Sequence, residues 1–365
     1  MNICLIGDSL TSLVLAKVLT NKNINVFLYC EKKKFQNSQS RTIGISKNNF
    51  DFIENEIIKL NKDIIWKINN IEIYSEKLQG DKLLNFKKDK KDLFLMIKNN
   101  IFYELLNSKL KKDILFKKIL ITNNKFYEEI IKNKNYDLIV NCDFNNKIAK
   151  KYFNKKIKKN YDSNAYTTIL NHKKIENNKA IQIFTKYGPL AFLPISNTET
   201  SVVFSIKKSK DILTDSEILK LIVKYNQNYQ IKSFQKIENF KLNFSLARNY
   251  YYKNIMAFGE NLHKIHPLAG QGFNMTLRDI KKISKIIQNR IELGLKVDSS
   301  TCKQFQEESR NTNFIFAHGI DFVHEFFDLN RNNKNIFFDK FLQLLGKNKF
   351  FTNILSKKAD RGFSI

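Results

Sequence analysis

Hydrophobic and polar positions form three blocks near the start of the chain. The apolar run NICLIG ends at Gly7, and a second apolar run, INVFLYCE, ends in the acid Glu31. Between the two runs, leucine, valine and alanine recur at helical spacing through SLTSLVLAKVLTNK. Because both runs are apolar enough to be buried on two faces, they are typical of parallel strands. The pattern therefore predicts a right-handed β-α-β unit.

The pattern of apolar positions changes twice further along the chain. Alternating segments between about 165 and 250 indicate a more antiparallel sheet. Buried-type runs and helical spacing return after that region. The other predicted elements are helices at about 46–60 and 92–110, buried strands at 136–143 and 254–260, a long helix that begins on glycine at 270, and Phe-rich amphipathic helices near the C-terminus.

This order predicts an α/β protein with a Rossmann-like first domain, an inserted β-rich domain built on an antiparallel sheet, and C-terminal helices. The first domain is then made of separate pieces of the chain. The predicted divisions are 1–76, 77–160 with helical segments and 251–295 for the three parts of the first domain, 161–250 for the β-rich substrate domain, and 296–365 for the C-terminal helices.

The charge of the chain is strongly positive, with a formal net charge of +28. Such a charge attracts nucleic acid, a membrane surface or an acidic substrate. The lysines are spread over separate short runs at 31–34, 86–91 and 154–159, and most aromatic residues lie inside apolar runs. This distribution favours a general compositional bias over a nucleic-acid site, and attraction to an anionic membrane surface stays open.

Cysteine and histidine usage argues against disulfide and metal chemistry. The four cysteines are far apart and form no CxxC pair. His172, His318 and His324 have no cysteine or carboxylate at metal-ligand spacing, so no metal site is expected. Because no apolar run reaches the roughly 18 residues that a membrane-spanning helix needs, we expect a cytoplasmic protein, with peripheral attachment to the inner face of the membrane as an open addition.

The first strand-helix turn resembles a dinucleotide-binding fingerprint, G-x-G-x-x-G, with substitutions. Gly7 holds the first position, whereas Ser9 and Ser12 hold the other two. Asp8 brings a negative charge toward the helix N-terminus, and Glu31 is the acid expected to hold an adenosine ribose. On these residues alone, nucleotide binding and an ordinary β-α turn remain equally open.

The stretch GENLHKIHPLAGQGFNMTLRD, residues 259–279, contains three of the eleven glycines and one of the three prolines of the chain. Glu260 is placed to accept hydrogen bonds from sugar-alcohol hydroxyls, and Pro267 fixes the backbone of the loop. Gly270 and Gly272 allow backbone N–H groups to approach a flat ring at the start of a helix, whose positive end stabilises negative charge.

This stretch resembles the second flavin-binding motif of the FAD-dependent aromatic hydroxylases. The segment YGPLAFLPI resembles one that accompanies the motif in their ubiquinone-biosynthesis branch. The first set of matching positions is Gly259, Glu260, His263, Pro267, Gly270, Gln271, Gly272, Asn274 and Asp279, and Phe273 between them is a further candidate cofactor-binding residue. The second set, implied to lie on the substrate side, is Gly188, Pro189, Leu190, Ala191, Leu193 and Pro194.

Two further segments resemble this family. SRTIGIS supplies Arg41, which the resemblance implies contacts the cofactor. YDLIVNCDFNNKIAKK aligns with a D-G motif associated with FAD and NAD(P)H handling. Asp143 matches its acid, whereas Phe144, Lys147 and Lys150 replace its glycine, serine and arginine.

The resemblance implies a flavin-dependent monooxygenase of ubiquinone biosynthesis. NAD(P)H would reduce FAD, O₂ would form a C4a-hydroperoxyflavin, and one oxygen atom would pass to a polyprenylated phenol. Pro267, Gly270 and Gly272 would position the flavin ring. Other quinone-biosynthesis proteins are further candidate partners. Two alternatives stay open: a flavin reductase of the same fold acting on a prenyl chain, and a non-catalytic, FAD-poor subunit of a quinone-biosynthesis assembly.

Overall fold

The computed structural model describes residues 1–31, 40–78, 80–87, 92–122, 126–208, 213–267, 270–332, 337–348, 352–353, 357–358, 360 and 362. Parts of two of the lysine-rich runs, residues 32–34 and 88–91, lie outside the described residues. Most of 349–365 also lies outside them.

The described elements alternate between strands and helices in the first half of the chain and end in helices. The strands are β1 Asn2–Ile6, β2 Asn25–Glu31, β3 Thr42–Ser46, β4 Trp66–Ile68, β5 Asn70–Ser75, β6 Lys82–Lys87, β7 Phe94–Lys98, β8 Phe116–Ile121, β9 Leu138–Asn141, β10 Lys156–His172, β11 Lys179–Thr185, β12 Gly188–Pro194, β13 Glu199–Lys207, β14 Ile231–Phe234, β15 Glu238–Ala247, β16 Tyr251–Tyr252, β17 Ile255–Ala257 and β18 His263–Lys264. The α-helices are α1 Leu10–Thr20, α2 Lys47–Phe52, α3 Asn99–Leu110, α4 Phe126–Lys132, α5 Lys147–Tyr152, α6 Asp215–Tyr225, α7 Gln271–Glu292, α8 Ser299–Asn332 and α9 Phe337–Lys347.

A six-stranded sheet with the order β16-β17-β9-β1-β2-β8 lies at the centre of the first domain. β1 pairs in parallel with both β2 and β9, and only the edge strand β16 is antiparallel to its neighbour. Helix α1 connects β1 to β2 and is buried along most of its length, which explains why its sequence is apolar on nearly every side. The predicted β-α-β unit is confirmed.

A nine-stranded sheet has the order β18-β15-β10-β13-β12-β11-β5-β6, with β14 pairing on β10. All its pairings are antiparallel except the one between β11 and β5. The antiparallel sheet is therefore confirmed. It also takes in β5 and β6, which precede the predicted substrate domain, and the domain divisions stay a proposal.

A three-stranded sheet with the order β3-β7-β4 corrects one predicted helix. The segment 92–110 was expected to be helical throughout, but Phe94–Lys98 is a strand and the helix begins at Asn99. The apolar run FLMI is too short for its period to distinguish a strand from a helix. Pairing with β3 on one side and β4 on the other decides the matter.

The two faces of the nine-stranded sheet have different neighbours. Helix α6, which begins with a capping box between Thr214 and Glu217, covers the outer face through Ile218 and Ile222. The inner face turns toward the three-stranded sheet, where Leu193 packs near Met96. Among the described helices, none is long and apolar enough to cross a membrane.

Candidate functional site

Four residues meet at the carboxyl edge of the parallel sheet, where β1, β9 and β17 end. Gly7 has φ +105°, and a Cβ atom there would lie 2.9 Å from Cβ of Asp143 and 3.0 Å from its backbone nitrogen. A Cβ atom on Gly259 would lie 2.9 Å from Cγ2 of Thr11, in the first turn of α1. The structure therefore brings the first loop, the D-G segment and the start of the 259–279 stretch together.

Arg41 and Glu260 reach the same edge of the sheet. Nη2 of Arg41 lies 3.8 Å from Oε1 of Glu260, and both side chains are about half exposed. An exposed ion pair at this distance contributes little to stability. The pair matters for its position, because it places a hydrogen-bond donor, the guanidinium, and a hydrogen-bond acceptor, the carboxylate, beside Gly259. Both groups are accessible to solvent.

The two serines of the first loop use their hydroxyl groups inside the loop. Ser9 caps α1 by accepting the N–H of Ser12 at 3.2 Å. The hydroxyl of Ser12 donates to the carbonyl of Gly7 at 2.5 Å, so the 3.0 Å contact between the two hydroxyls is donated by Ser9. Both hydroxyl protons are thereby committed. The phosphate contacts that this loop can offer come from backbone N–H groups and the helix N-terminus.

Two carboxylates of the predicted nucleotide site accept hydrogen bonds from distant tyrosines. Asp8 accepts from the Tyr103 hydroxyl at 2.7 Å and from Nζ of Lys118 at 2.7 Å, so the lysine balances its charge. Glu31 accepts from the Tyr127 hydroxyl at 2.8 Å. Burial, and then these carboxylates, raise the pKa of both tyrosines. Sequence reasoning missed Tyr103, Lys118 and Tyr127, because no local spacing relates them to the loop.

Helix α7 begins directly after Gly270, which has the left-handed conformation with φ +63°. A Cβ atom on Gly270 would lie 3.6 Å from the carbonyl oxygen of Gly44 in β3. Gly44 is itself confined, because a Cβ atom there would lie 3.1 Å from Phe94 and 3.2 Å from Sδ of Met96. The loop and β3 therefore approach each other backbone to backbone. Gly44 is a candidate site residue that sequence reasoning missed.

Asn274 holds this close approach together. Its amide Nδ2 donates to the carbonyls of Gly44 at 2.8 Å and Gly270 at 3.1 Å. Its Oδ1 accepts from the backbone N–H of Ser46 at 2.8 Å and from Nδ2 of Asn49 at 2.9 Å. The side chain is fully buried. The motif asparagine therefore joins the first turn of α7 to β3 and α2.

Replacing Asn274 with alanine is expected to lower the free energy of unfolding by about 2–4 kcal/mol, because several buried partners lose their hydrogen bonds at once. Urea denaturation measures the change. The control is Asn289→Ala on the exposed side of α7, which should stay within about 0.5 kcal/mol of the wild type. Equal urea midpoints for the two variants would show that the hydrogen bonds of Asn274 do not stabilise the loop.

The other predicted residues of this stretch have distinct positions. The carbonyl of Pro267 accepts the N–H of Gly270 at 3.3 Å and closes the turn. Gln271 is the first residue of α7 and is buried, whereas Phe273 is half-buried against the core of the first domain. Asp279 bonds the ring of His263 at 2.6 Å and the amide of Asn313 at 3.0 Å, so it joins α7 to β18 and α8.

The GPLA strand, β12, divides its side chains between the two faces of the nine-stranded sheet. Leu190 and Phe192 pack under α6, and a Cβ atom on Gly188 would collide with the carbonyl of Ser205. Leu193 packs near Ile68 on the inner face. Of the six predicted substrate residues, Pro189, Ala191 and Leu193 are partly exposed on the inner face, whereas Gly188, Leu190 and Pro194 are buried on the other.

The D-G segment forms a tight turn. Oδ1 of Asp143 accepts the N–H of Asn145 at 2.8 Å. Phe144 is 41% exposed, and Nζ of Lys264 lies 5.3 Å from its ring centroid. Lys147 and Lys150 are exposed on α5. The three residues that depart from the family motif therefore face outward.

Lys156 ties the Gly259–Asn261 turn to the sheet, and sequence reasoning missed it. Its ammonium donates to the carbonyl of Asn261 at 2.8 Å and to Oδ1 at 2.9 Å. Burial, and then the charge of Lys158, lower the pKa of Lys156 to about 8. Among the described residues, no group of three histidine, cysteine, aspartate or glutamate side chains is placed to hold a metal ion.

Solved structures define the class of this fold. The chain is similar to p-nitrophenol 4-monooxygenase PnpA from Pseudomonas putida DLL-E4, with TM-score 0.76 and 10% identity over 100% of this chain and 98% of that one. It is also similar to PqsL, a probable FAD-dependent monooxygenase from Pseudomonas aeruginosa, with TM-score 0.67 and 12% identity over 92% and 97% of the two chains. The chain has the fold of the FAD-dependent monooxygenases.

The sequence relatives include monooxygenases of ubiquinone biosynthesis. The chain is 23% identical over 227 residues to the mitochondrial ubiquinone biosynthesis monooxygenase COQ6 of Caenorhabditis elegans, covering 50% of each protein. It is 27% identical over 155 residues to 3-demethoxyubiquinol 3-hydroxylase of Escherichia coli (strain K12), covering 41% of this chain and 40% of that protein. No protein-family model matches. The chain is a divergent homologue of these ubiquinone-biosynthesis monooxygenases, as its two motifs predicted, and it spans about half or less of their length.

Proposed function

We propose that this chain binds FAD and hydroxylates a polyprenylated phenol in ubiquinone biosynthesis, with NAD(P)H as the electron donor. The observation that carries the proposal is the backbone approach between Gly270 and Gly44 at the start of α7. It stands beside an accessible edge that holds Arg41 and Glu260. The names of the sequence relatives, which include a monooxygenase and a hydroxylase of this pathway, support the choice of substrate class.

The surroundings of Gly272 support the proposal that a flat ring lies against this loop. Its nearest potential Cβ contact is Cγ1 of Ile265 at 3.8 Å, an ordinary van der Waals distance, and its φ lies outside the left-handed region. Neither sterics nor backbone conformation within the described residues therefore requires glycine there. A ligand that lies against the first turn of α7 would explain why this residue is glycine, because a Cβ atom would fill the space that the ligand needs.

The residues have separate roles in this proposal. The N-terminus of α1 and the guanidinium of Arg41 bind the pyrophosphate, and Glu260 accepts hydrogen bonds from ribitol hydroxyls. The backbone of Pro267, Gly270 and Gly272 positions the flavin ring. When bound, FAD supplies the reaction of reducing equivalents with O₂. The positive end of α7 stabilises negative charge on the reduced ring.

The inner face of β12 offers the surface for the aromatic substrate. Pro189, Ala191 and Leu193 are apolar and partly exposed, so they suit a ring with an apolar tail. The other three predicted residues of this strand support it from the opposite face. Other quinone-biosynthesis proteins and an anionic membrane surface remain proposed partners.

A second candidate function is an FAD-poor subunit of a quinone-biosynthesis assembly. The internal hydrogen bonds of Ser9 and Ser12, together with the tyrosine contacts of Asp8 and Glu31, favour it because they engage side chains of the predicted nucleotide site. The D-G segment also departs from the motif associated with NAD(P)H handling.

Turnover under heavy-isotope oxygen gas separates these functions. We expect the FAD-loaded protein, given NADPH or NADH and 2-prenylphenol, to form a product that carries one heavy oxygen atom, detected by mass spectrometry. A product that has instead gained two hydrogens in its prenyl chain would identify a reductase. NAD(P)H oxidation that yields only hydrogen peroxide, or no oxidation at all, would contradict the hydroxylase proposal.

A further inference from the structure

The ring of His266 is buried without a hydrogen-bond partner. Its side chain is 1% exposed, and within the described part of the chain neither Nδ1 nor Nε2 has a donor or acceptor in reach. Nearly all buried polar groups in proteins are hydrogen-bonded, and each exception calls for an explanation. Because both ring nitrogens are affected, a change of tautomer does not resolve the problem.

A second histidine lies against this ring. The ring centroids of His266 and His324 are 4.1 Å apart with an interplanar angle of 32°, and Nδ1 of His324 is also buried without a partner among the described residues. Tyr161 lies beside both, with centroids 5.2 Å from His266 and 4.7 Å from His324. Its hydroxyl donates to Oδ1 of Asp321 at 2.8 Å, so its proton is committed elsewhere.

The charged groups around the pair form ion pairs with one another. Lys159 on β10 pairs with Asp321 and Glu325 of α8, and Lys207 on β13 pairs with Asp328. Burial lowers the pKa of His266 and of His324, and the neighbouring histidine lowers that of His266 further. Both rings are therefore neutral near pH 7, and each has one acceptor nitrogen and one N–H donor.

The pair lies at the α8 end of the proposed substrate surface. His266 immediately precedes Pro267, and the loop that follows reaches β3 at Gly44. One turn beyond His324, Phe327 stacks on Phe184 of β11 with centroids 3.5 Å apart. Phe184 pairs with Pro189 of β12, so α8 and the partly exposed side of β12 border the same inner face.

We propose that His266 and His324 form the polar end of the aromatic-ring site and bind the phenolic hydroxyl of the substrate. The hydroxyl donates to an acceptor nitrogen of one imidazole, and its oxygen accepts from an N–H of the pair. No covalent bond is made or broken in this step. The inference rests on the proposed function for its substrate class, and it names residues that the flavin loop itself does not require.

The test compares 2-prenylphenol with its methyl ether, which has the same ring and tail but no O–H donor. Isothermal titration calorimetry of the full-length, FAD-loaded protein should show about tenfold tighter binding of the phenol, the size of one hydrogen bond. In His266→Phe and in His324→Phe the preference should fall to about one. His266→Asn, which keeps a donor and an acceptor, should restore most of it.

The matched control is His318→Phe. His318 lies on α8, as His324 does. Its ring packs instead against Phe314 and Phe244, at 4.2 and 5.3 Å between centroids. The tenfold preference should persist in this variant. A wild type that binds phenol and ether equally, or a preference that survives in both His266→Phe and His324→Phe, would overturn the proposal.

Repeating the titration without added FAD separates this inference from the proposed function. A histidine-dependent phenol preference in a protein that binds no flavin would support the phenol site and contradict the monooxygenase. Flavin binding and hydroxylation with no dependence of the preference on the two histidines would contradict the phenol site alone.

Discussion

Replacing Gly272 with alanine is expected to weaken FAD binding by about 10- to 100-fold, since overpacking a close contact costs about 1–3 kcal/mol. The fold itself should not suffer. A Cβ atom meets only Ile265 at 3.8 Å, and alanine is up to about 1 kcal/mol better than glycine inside a helix. The variant is therefore predicted to bind flavin less and to resist urea equally well or better.

Gly272→Ala is informative because FAD affinity should fall while the free energy of unfolding stays the same or rises. Gly319→Ala is the matched control, because Gly319 lies inside α8 and a Cβ atom there meets nothing within 4 Å. It should raise stability by a similar amount and leave FAD affinity unchanged. Fluorescence titration of FAD and urea denaturation are measured on both variants. Wild-type FAD affinity in Gly272→Ala would mean that the first turn of α7 does not face the ring.

Replacing Gly7 with alanine is expected to lower the free energy of unfolding by about 2–6 kcal/mol. Its φ of +105° is unfavourable for any residue with a side chain and adds about 1–3 kcal/mol. Collision with the backbone of Asp143, 3.0 Å from the new Cβ atom, adds about 1–3 kcal/mol more.

Comparison with Gly80→Ala separates the energy of the collision at Gly7 from the energy of the backbone strain. Gly80 has φ +107°, and a Cβ atom there meets nothing within 4 Å, so only the conformational part, about 1–3 kcal/mol, should appear. Urea denaturation of the two variants gives the difference directly. Equal losses would show that Gly7 is glycine for its conformation alone and that Gly7 and Asp143, which follow β1 and β9, do not crowd each other.

Elements built from long, regular patterns could be predicted from the sequence. The buried runs around α1 specify a parallel unit, and the alternation after residue 165 specifies an antiparallel sheet, because each repeats one period over many residues. The strand at Phe94–Lys98 was missed because five residues carry too little periodicity. Its partners, β3 and β4, lie tens of residues away in sequence.

The candidate site divides in the same way. The glycines of the 259–279 stretch were identifiable because glycine and proline are rare elsewhere in this chain. Gly44 was not, since its importance comes from facing Gly270 and Met96 across two other elements. The partners Lys118 and Tyr127 were likewise hidden, because tertiary packing alone brings them to Asp8 and Glu31.

The pattern of matches also needed correction by geometry. Six residues of the GPLA strand matched the family as a group, but strand pleating places only Pro189, Ala191 and Leu193 on the inner face of the nine-stranded sheet. Ser9 and Ser12 stand at two glycine positions of the nucleotide fingerprint, and both of their hydroxyl protons are used within the loop. Hydrogen-bond partners of this kind do not follow from residue type and spacing.

The central claim, that the loop at 259–279 holds a flavin ring, is tested most directly by one measurement. The purified full-length protein is mixed with excess FAD, passed through a desalting column, and its visible absorbance is recorded against protein concentration. Flavin absorbance is expected to elute with the protein at about one flavin per chain, as for a single pre-formed cofactor site. Protein that elutes without flavin absorbance after this treatment would contradict this claim.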